Sequence, residues 1–489
     1  MTSIPDKLYK YELVIGLEVH IQLATNTKIF SSDSAAFGGE PNSHVSIVSL
    51  GLPGSLPYLN STVIDSAIKL GLATNCSINL ENRFDRKNYF YADLPKGYQI
   101  TQDALPICKE GFIEIKTKAF GNRQIRINRI HMEEDAGKSM HDQDLTDSLI
   151  DLNRAGVPLL ELVSEPDLRS AEEAAQFISE VRKIVRFLGV SDGNMEEGSL
   201  RCDANISIRI KNTTAYGNRC EVKNVNSMRN LQRAITYEFN RQVDVVENGG
   251  SIEQQTLNFD AATGITSPLR SKELANDYRY FPEPDLLPVR LTEEYIKNIQ
   301  ASLPELPQQL EKRFINELGL SEYDANLLAS EKEISSYFNN VIKTTSDYKA
   351  AANWILGPVR SLLNETGLSI SQLSTKPSSL ADLINLISTG KISFTSAVQQ
   401  VFPAMQKHPD HKVIDLVTEM NLLISVDQNE LDNLVDEVLN LYPDKIIEYR
   451  KGKKAVLGLF MGEFMKRSKG KADPKTANSL IVKKLEETK

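Results

Sequence analysis

A chain of 489 residues, 41% hydrophobic and 25% charged, exceeds what one hydrophobic core serves and has the composition of a modular soluble protein. No run nears the roughly 18 apolar residues of a membrane span, and the opening MTSIPDKLYKYELVIG has neither a signal-peptide core nor Arg-rich transit character, so the cytoplasm is the expected compartment. Four cysteines without a C-x-x-C pair argue against a disulfide framework or a four-Cys zinc ribbon, and the net charge of -9 hides a basic end, where 12 Lys+Arg face 4 Asp+Glu from Tyr449 to Lys489.

In chain order, the first 290 or so residues alternate β-like runs with Gly- and Pro-containing turns and read as α+β. Leu13, Ile15, Leu17, Val19, Ile21 and Leu23 alternate along YELVIGLEVHIQLAT, the period of a strand with one buried face. Glu18, His20 and Gln22 share its other face. A carboxylate and an imidazole two residues apart can reach one hard metal ion, or simply line a solvated strand. Ser61–Thr74 has apolar residues at helical spacing. FDRKNYFYADLPKGYQI (84–100) mixes Arg86, Lys87 and Lys96 with aromatics, which suits phosphate binding or a turn-rich hairpin with exposed lysines.

HMEEDAGKS (131–139) sets Glu133, Glu134 and Asp135 before Gly-Lys-Ser, yet Met132 stands where a P-loop needs glycine. Ser170–Leu188 reads as a helix with Glu172 and Glu173 in its first turn and a stop at Gly189. In LRCDANISIRI (200–210) Arg201, Asp203 and Asn205 share a face, and in NRCEVKNVN (218–226) Arg219, Glu221 and Lys223 do. Carboxylates interleaved with cations on strand faces are what phosphoryl transfer requires, although one solvated face is normal for an antiparallel sheet. The six histidines accompany no G-x-S-x-G elbow or cysteine-protease signature, so a hydrolase triad is disfavoured.

Beyond Val289 the pattern turns helical, with helices expected over Thr292–Ser302, Leu306–Leu318, Ser321–Val341, Asp347–Asn364 and Ser378–Ile387. Pro403 and KHPDHK (407–412) mark a linker near residue 408. In the last module Gly458 and Gly462 lie four apart on a predicted helix, flanked by Lys451, Lys453, Lys454, Lys466, Arg467, Lys469 and Lys471. Small residues let a helix approach either a partner surface or another helix of the module, and the lysines serve polyanion binding or a solvated face. The resulting modules are 1–292, a large, mostly antiparallel sheet domain, 293–408, an all-helical domain, and 409–489, a small helical tail.

IGLEVHIQL, FGGEPN, LGLPGSLP, FDRKNYFYADLPKGYQI, RIHMEEDAGKS, LVSEPDLRS, NMEEGSLRCDANIS and DYRYFPEPDLLP together resemble the B-subunit family of the glutamyl/aspartyl-tRNA amidotransferases along the whole chain. The resemblance implies a kinase-like cradle, a helical domain and a tail that meets the outer corner of tRNA. It further implies a heterotrimer in which an amidase, the A subunit, releases ammonia from glutamine and the small C subunit wraps the other two. The B subunit would use ATP and magnesium to phosphorylate the side-chain carboxylate of Glu-tRNA(Gln) or Asp-tRNA(Asn), which ammonia then amidates. By motif, Glu18, His20, Glu134, Asp203 and Glu221 become the metal-site candidates, with Glu133 beside them, and Lys87, Lys96, Arg201 and Lys223 the phosphate-binding candidates. The alternative is a non-catalytic tRNA-binding scaffold of the same complex. The archaeal E-type paralogue is disfavoured, because its inserted domain has no room between Pro284 and Thr292. Where many relatives carry a zinc knuckle, this chain has Ser31, Asp33, Ser46 and Ser49, so no structural zinc is expected.

Overall fold

The computed structural model describes residues 9–140, 146–271, 278–424, 428–468 and 474–487. It divides into two compact units, Met1–Leu306 and Pro307–Lys489. The first is built from strands β1 (Tyr11–Gln22), β2 (Asp85–Asn88), β3 (Tyr98–Thr101), β4 (Cys108–Thr117), β5 (Gly121–Glu134), β6 (Pro158–Ser164), β7 (Leu200–Ile210), β8 (Cys220–Val225), β9 (Gln255–Asp260), β10 (Ile265–Ser271) and β11 (Arg279–Pro282). A nine-stranded sheet runs in the order β10-β9-β8-β7-β1-β6-β5-β4, with the short strand Ser77–Ile78 at its edge. All neighbours are antiparallel except β8 and β9. Strands β11, β2 and β3 form a second, three-stranded sheet.

The alternation of β1 decides which face of the large sheet is wet. Leu13, Ile15, Leu17, Val19 and Ile21 are buried in a core completed by helices α1 (Ser61–Ala73), α2 (Ala171–Leu188) and α3 (Met228–Glu247). Helix α2 follows its sequence signals: the Ser170 side chain accepts from Glu173 N, and Gly189 closes the helix at φ 68°. The opposite, polar face carries Glu18, His20 and their neighbours.

Helix α4 (Glu293–Ala301), capped by Thr292, buries Ile299 in this same core. The N-terminal unit therefore extends to Leu306.

In the second unit two expected helices are interrupted. Ser321–Val341 splits into Glu322–Leu328 and Lys332–Val341. The Ser330 hydroxyl donates to Leu327 O at 2.7 Å and that of Ser335 to Leu328 O at 2.6 Å, so side chains satisfy the carbonyls of the first helix while the backbone turns. The segment expected as one helix over Asp347–Asn364 runs as Tyr348–Trp354, a π turn at Ile355–Val359 and Arg360–Thr366. Pro358, inside that turn, has no N–H to give and its ring crowds the preceding carbonyls, which widens the turn. The tail helices close a core of their own around Leu431, Val435, Val438, Phe460, Phe464 and Ile481. No described helix is long and apolar enough to cross a membrane.

Candidate functional site

On the polar face, strand register does the assembling. Glu18 stands opposite Asp203, and His20 opposite Arg201 on one side and Glu161 on the other. His131 of β5 faces Glu161 in turn. His20 Nε2 lies 3.4 Å from Glu161 Oε2 and 3.8 Å from Glu133 Oε1. His131 Nε2 lies 3.6 Å from Glu133 Oε2 and 3.6 Å from Glu161 Oε2. One ligand atom each from His20, Glu133 and Glu161 falls within 4.8 Å of the others.

The electrostatics follow from acids crowded around a buried imidazole. Burial opposes charging of His20, but the hydrogen bond to Glu161 and the charges of Glu161, Glu133 and Asp203 push its pKa up to about 9. Burial would likewise raise Glu161, yet His131 and His20, helped by Lys87, hold its carboxyl far below the usual range. Glu18 is raised by burial and then by Glu161 and Glu221, against the Asn205 hydrogen bond. Carboxylates thus crowd the His20 imidazole from more than one strand. Two carboxylates and one imidazole make a donor set that fits a divalent cation.

The remaining predicted residues are distributed around this centre. Asp203 and Glu221 share Lys223, whose Nζ lies 2.9 Å from Asp203 Oδ2 and 3.0 Å from Glu221 Oε1. Asn205 Nδ2 donates to Glu18 Oε1 at 2.9 Å, and a cavity of about 420 Å³ lined by Gly16, Glu18, Asn205, Ser207 and Arg219 opens beside them. Arg201 is engaged by Asp135 at 2.7 Å. Lys87 Nζ lies 4.7 Å from the centre of the Tyr278 ring.

Glu134 stands apart from these. Neighbouring residues of a strand point to opposite sides, so with Glu133 in the cluster Glu134 turns to Lys96 Nζ, at 2.5 and 2.7 Å, and to Ile100 N at 2.8 Å. Lys96, expected at phosphate, is thereby occupied by Glu134 in this structure.

Glu161 and His131 were not singled out from sequence. Glu161 had a readable signal: PLLELVS sets a lone carboxylate in the middle of an apolar strand. His131, itself buried between Ile130 and Met132, carried a weaker one.

The four residues at the zinc-knuckle positions do come together, around a carboxylate. Asp33 accepts from Ser31 Oγ at 3.0 Å, from Ser46 N at 2.9 Å and from Ser49 Oγ. Burial would raise the Asp33 carboxyl, but the bonds from Ser49, Ser46 and Ser31 outweigh it and hold its pKa below the ordinary 3.8. A depressed folded-state pKa means stabilisation that is complete above the unfolded value and lost as pH falls through the folded one. Protection of 31–49 against hydrogen exchange, taken relative to the intrinsic rate at each pH, should therefore fall below roughly pH 4 in the native chain. In Asp33→Ala it should already be low at neutral pH, with a loss of about 1–2 kcal/mol of local stability. Equal exchange in both at pH 7 would show that the carboxylate does not hold the loop.

Two family models match the chain: one described as the GatB/GatE catalytic domain over residues 13–297, the other as the GatB domain over residues 336–485. Among curated proteins, the chain is similar to the B subunit of the aspartyl/glutamyl-tRNA(Asn/Gln) amidotransferase of Chlorobium phaeobacteroides (strain BS1), 48% identical over 476 residues, covering 97% of this chain and 99% of the relative. The protein of the same name from Syntrophotalea carbinolica is 48% identical over 477 residues, covering 97% and 99%. That of Pelodictyon phaeoclathratiforme is 49% identical over 477 residues, covering 98% and 100%.

Proposed function

The chain belongs to the GatB family of tRNA-dependent amidotransferase B subunits, components of a ligase-type enzyme, and from that premise we propose that its polar sheet face phosphorylates an aminoacyl-tRNA. The substrate is the side-chain carboxylate of Glu-tRNA(Gln) or Asp-tRNA(Asn), the phosphoryl donor is ATP with magnesium, and ammonia then displaces phosphate to give the amide. The observation that carries this reading is the His20–Glu133–Glu161 cluster with cations at its rim. A carboxylate attacking a triphosphate meets like charge, so the reaction needs fixed positive charge beside a metal-binding set of acids.

When bound, magnesium would be held by His20, Glu133 and Glu161 and would supply charge neutralisation at the phosphates. The chain's own groups do the rest. Lys87, at the rim close enough to help hold Glu161 ionised, and Lys223, beside Asp203 and Glu221, orient phosphate oxygens. Glu18, held by Asn205, lines the cavity of about 420 Å³ that would receive the nucleotide. The antiparallel frame fixes these groups before substrate arrives. Glutamine hydrolysis belongs to a partner amidase, the A subunit, and the small C subunit completes a heterotrimer in the cytoplasm.

An amidation assay of the assembled complex with each mischarged tRNA, with and without ATP, tests the reading. Amide formation should require ATP and release phosphate in equal amount. His20→Ala should abolish it while tRNA-independent glutaminase activity survives. Amidation at the native rate in His20→Ala would leave the scaffold alternative standing.

A further inference from the structure

Strands β4 and β5 hold a pair of cations that the carboxylate centre does not use. Cys108, Ile113 and Ile115 of β4 and Ile125, Ile127 and Ile130 of β5 all face the core. That spacing breaks the two-residue period, so each strand changes face at the same level. Glu110 takes φ 48° there, and Gly111 is required because a Cβ would fall 2.4 Å from Cys76 Sγ and 2.6 Å from Thr74 O. Register across this kink sets Lys109 directly opposite Arg129 on the polar side.

Like charges directly opposite each other weaken a sheet. Neither Lys109 nor Arg129 ion-pairs with any described residue, and Arg129 Nε is buried without a hydrogen-bond partner. Both line a cavity of about 700 Å³. Its third cation, Arg126, is taken by Asp167 at 2.7 Å, and its acids, Asp103, Glu110 and Glu165, pair with neither Lys109 nor Arg129. One anion placed between the two cations would convert a repulsion into two charge-assisted contacts. The flanking acids confine that anion to this spot.

The cavity shares its face with the catalytic centre. Arg129, His131 and Glu133 follow at two-residue intervals on β5, roughly 7 and 13 Å apart from Arg129 along an extended strand. The Tyr280 hydroxyl senses both ends: burial and Asp103 raise its pKa, Arg129 opposes, and Glu133 and Glu161 raise it further. A ligand reaching from the centre to the cavity is on the scale of a terminal nucleotide.

We infer that Lys109 and Arg129 bind a phosphodiester near the 3′ end of the RNA substrate and so set the reach of its esterified side chain into the carboxylate centre. This rests on the aminoacyl-tRNA reading above. The experiment measures binding of tRNA to the assembled complex as a function of salt, for the native protein, Lys109→Gln and Arg129→Gln, with intact tRNA and with tRNA lacking its 3′-terminal nucleotides. Each substitution should weaken intact tRNA roughly tenfold and lower the slope of log affinity against log salt by about one. For the truncated tRNA, native and substituted complexes should bind alike, and KM for ATP should not change. Because the tRNA-binding measurements need no turnover, they stand or fall separately from the phosphorylation chemistry. Unchanged affinity for intact tRNA in a complex with a native thermal midpoint overturns the inference. So does an equal loss with truncated tRNA, which would put the contact elsewhere on the RNA, or a rise in KM for ATP, which would give the pair to the nucleotide. Should Arg129→Gln fail to fold, half-buried Lys109→Gln decides.

Discussion

Glu161→Gln should lower kcat for ATP-dependent amidation roughly a thousandfold, the scale seen when one preorganised charge is removed from a charge-stabilising site, while tRNA-independent glutaminase activity in the same complex is unchanged. The substitution keeps the size of the side chain and an oxygen that can accept from His20 or His131. What it removes is the charge that sits 3.4 Å from His20 Nε2 and 3.6 Å from His131 Nε2. With that charge gone, His20 loses the first of the groups that raise its pKa against burial, and the site loses one of its two cluster carboxylates. Divalent-cation affinity, measured with manganese as a spectroscopic probe, should fall together with kcat. Amidation within tenfold of the native rate at saturating magnesium would remove Glu161 from the site and leave the Glu18, Asp203 and Glu221 group as its centre.

That residue shows where sequence reasoning reaches its limit. The period of YELVIGLEVHIQ is visible locally, so β1, its buried face and the shared side of Glu18 and His20 could be read directly. Helix α2 was equally legible, because Ser170 and Gly189 act within a few residues of themselves. The cluster is different, since it depends on β6 lying between β1 and β5, the first of those partners more than a hundred residues away in the chain and the second nearer, and no local pattern encodes either pairing. The division of Glu133 and Glu134 is hidden for the same reason: strand parity assigns them to opposite sides, but only the neighbours say which of them meets His20 and which meets Lys96. In the helical unit, the breaks at Ser330 and Pro358 come from hydrogen-bonding and steric events inside otherwise periodic sequence, which periodicity alone reads through.

The tail offers a prediction in which stability and function move in opposite directions. Gly458 and Gly462 lie on the helix Leu457–Arg467, and a Cβ at either would meet no atom within 4 Å. Packing against other helices of the tail, one of the two roles open from sequence, therefore does not require them; the core uses Phe460 and Phe464 of the same helix. Glycine inside a helix costs about 1 kcal/mol relative to a good helix former, and an exposed site that needs nothing small would be expected to shed that cost. Lys451, Lys453 and Lys454 are exposed before this helix, and Lys466 and Arg467 end it, whereas Lys469 and Lys471 lie outside the described residues. A bare backbone one turn long, bordered by cations, suits close approach to a phosphate-lined RNA surface. Gly458→Glu combined with Gly462→Glu should raise the stability of the tail by about 1–2 kcal/mol, because both replacements favour helix and the first of the two new carboxylates would sit in the opening turn, where the helix dipole welcomes negative charge. The same pair should raise KM for tRNA roughly a hundredfold, about 3 kcal/mol of lost binding, with kcat at saturating tRNA and glutaminase activity unaltered. A more stable tail with an unchanged KM would mean that the glycine face does not meet the RNA. A less stable tail would mean that the glycines serve packing after all.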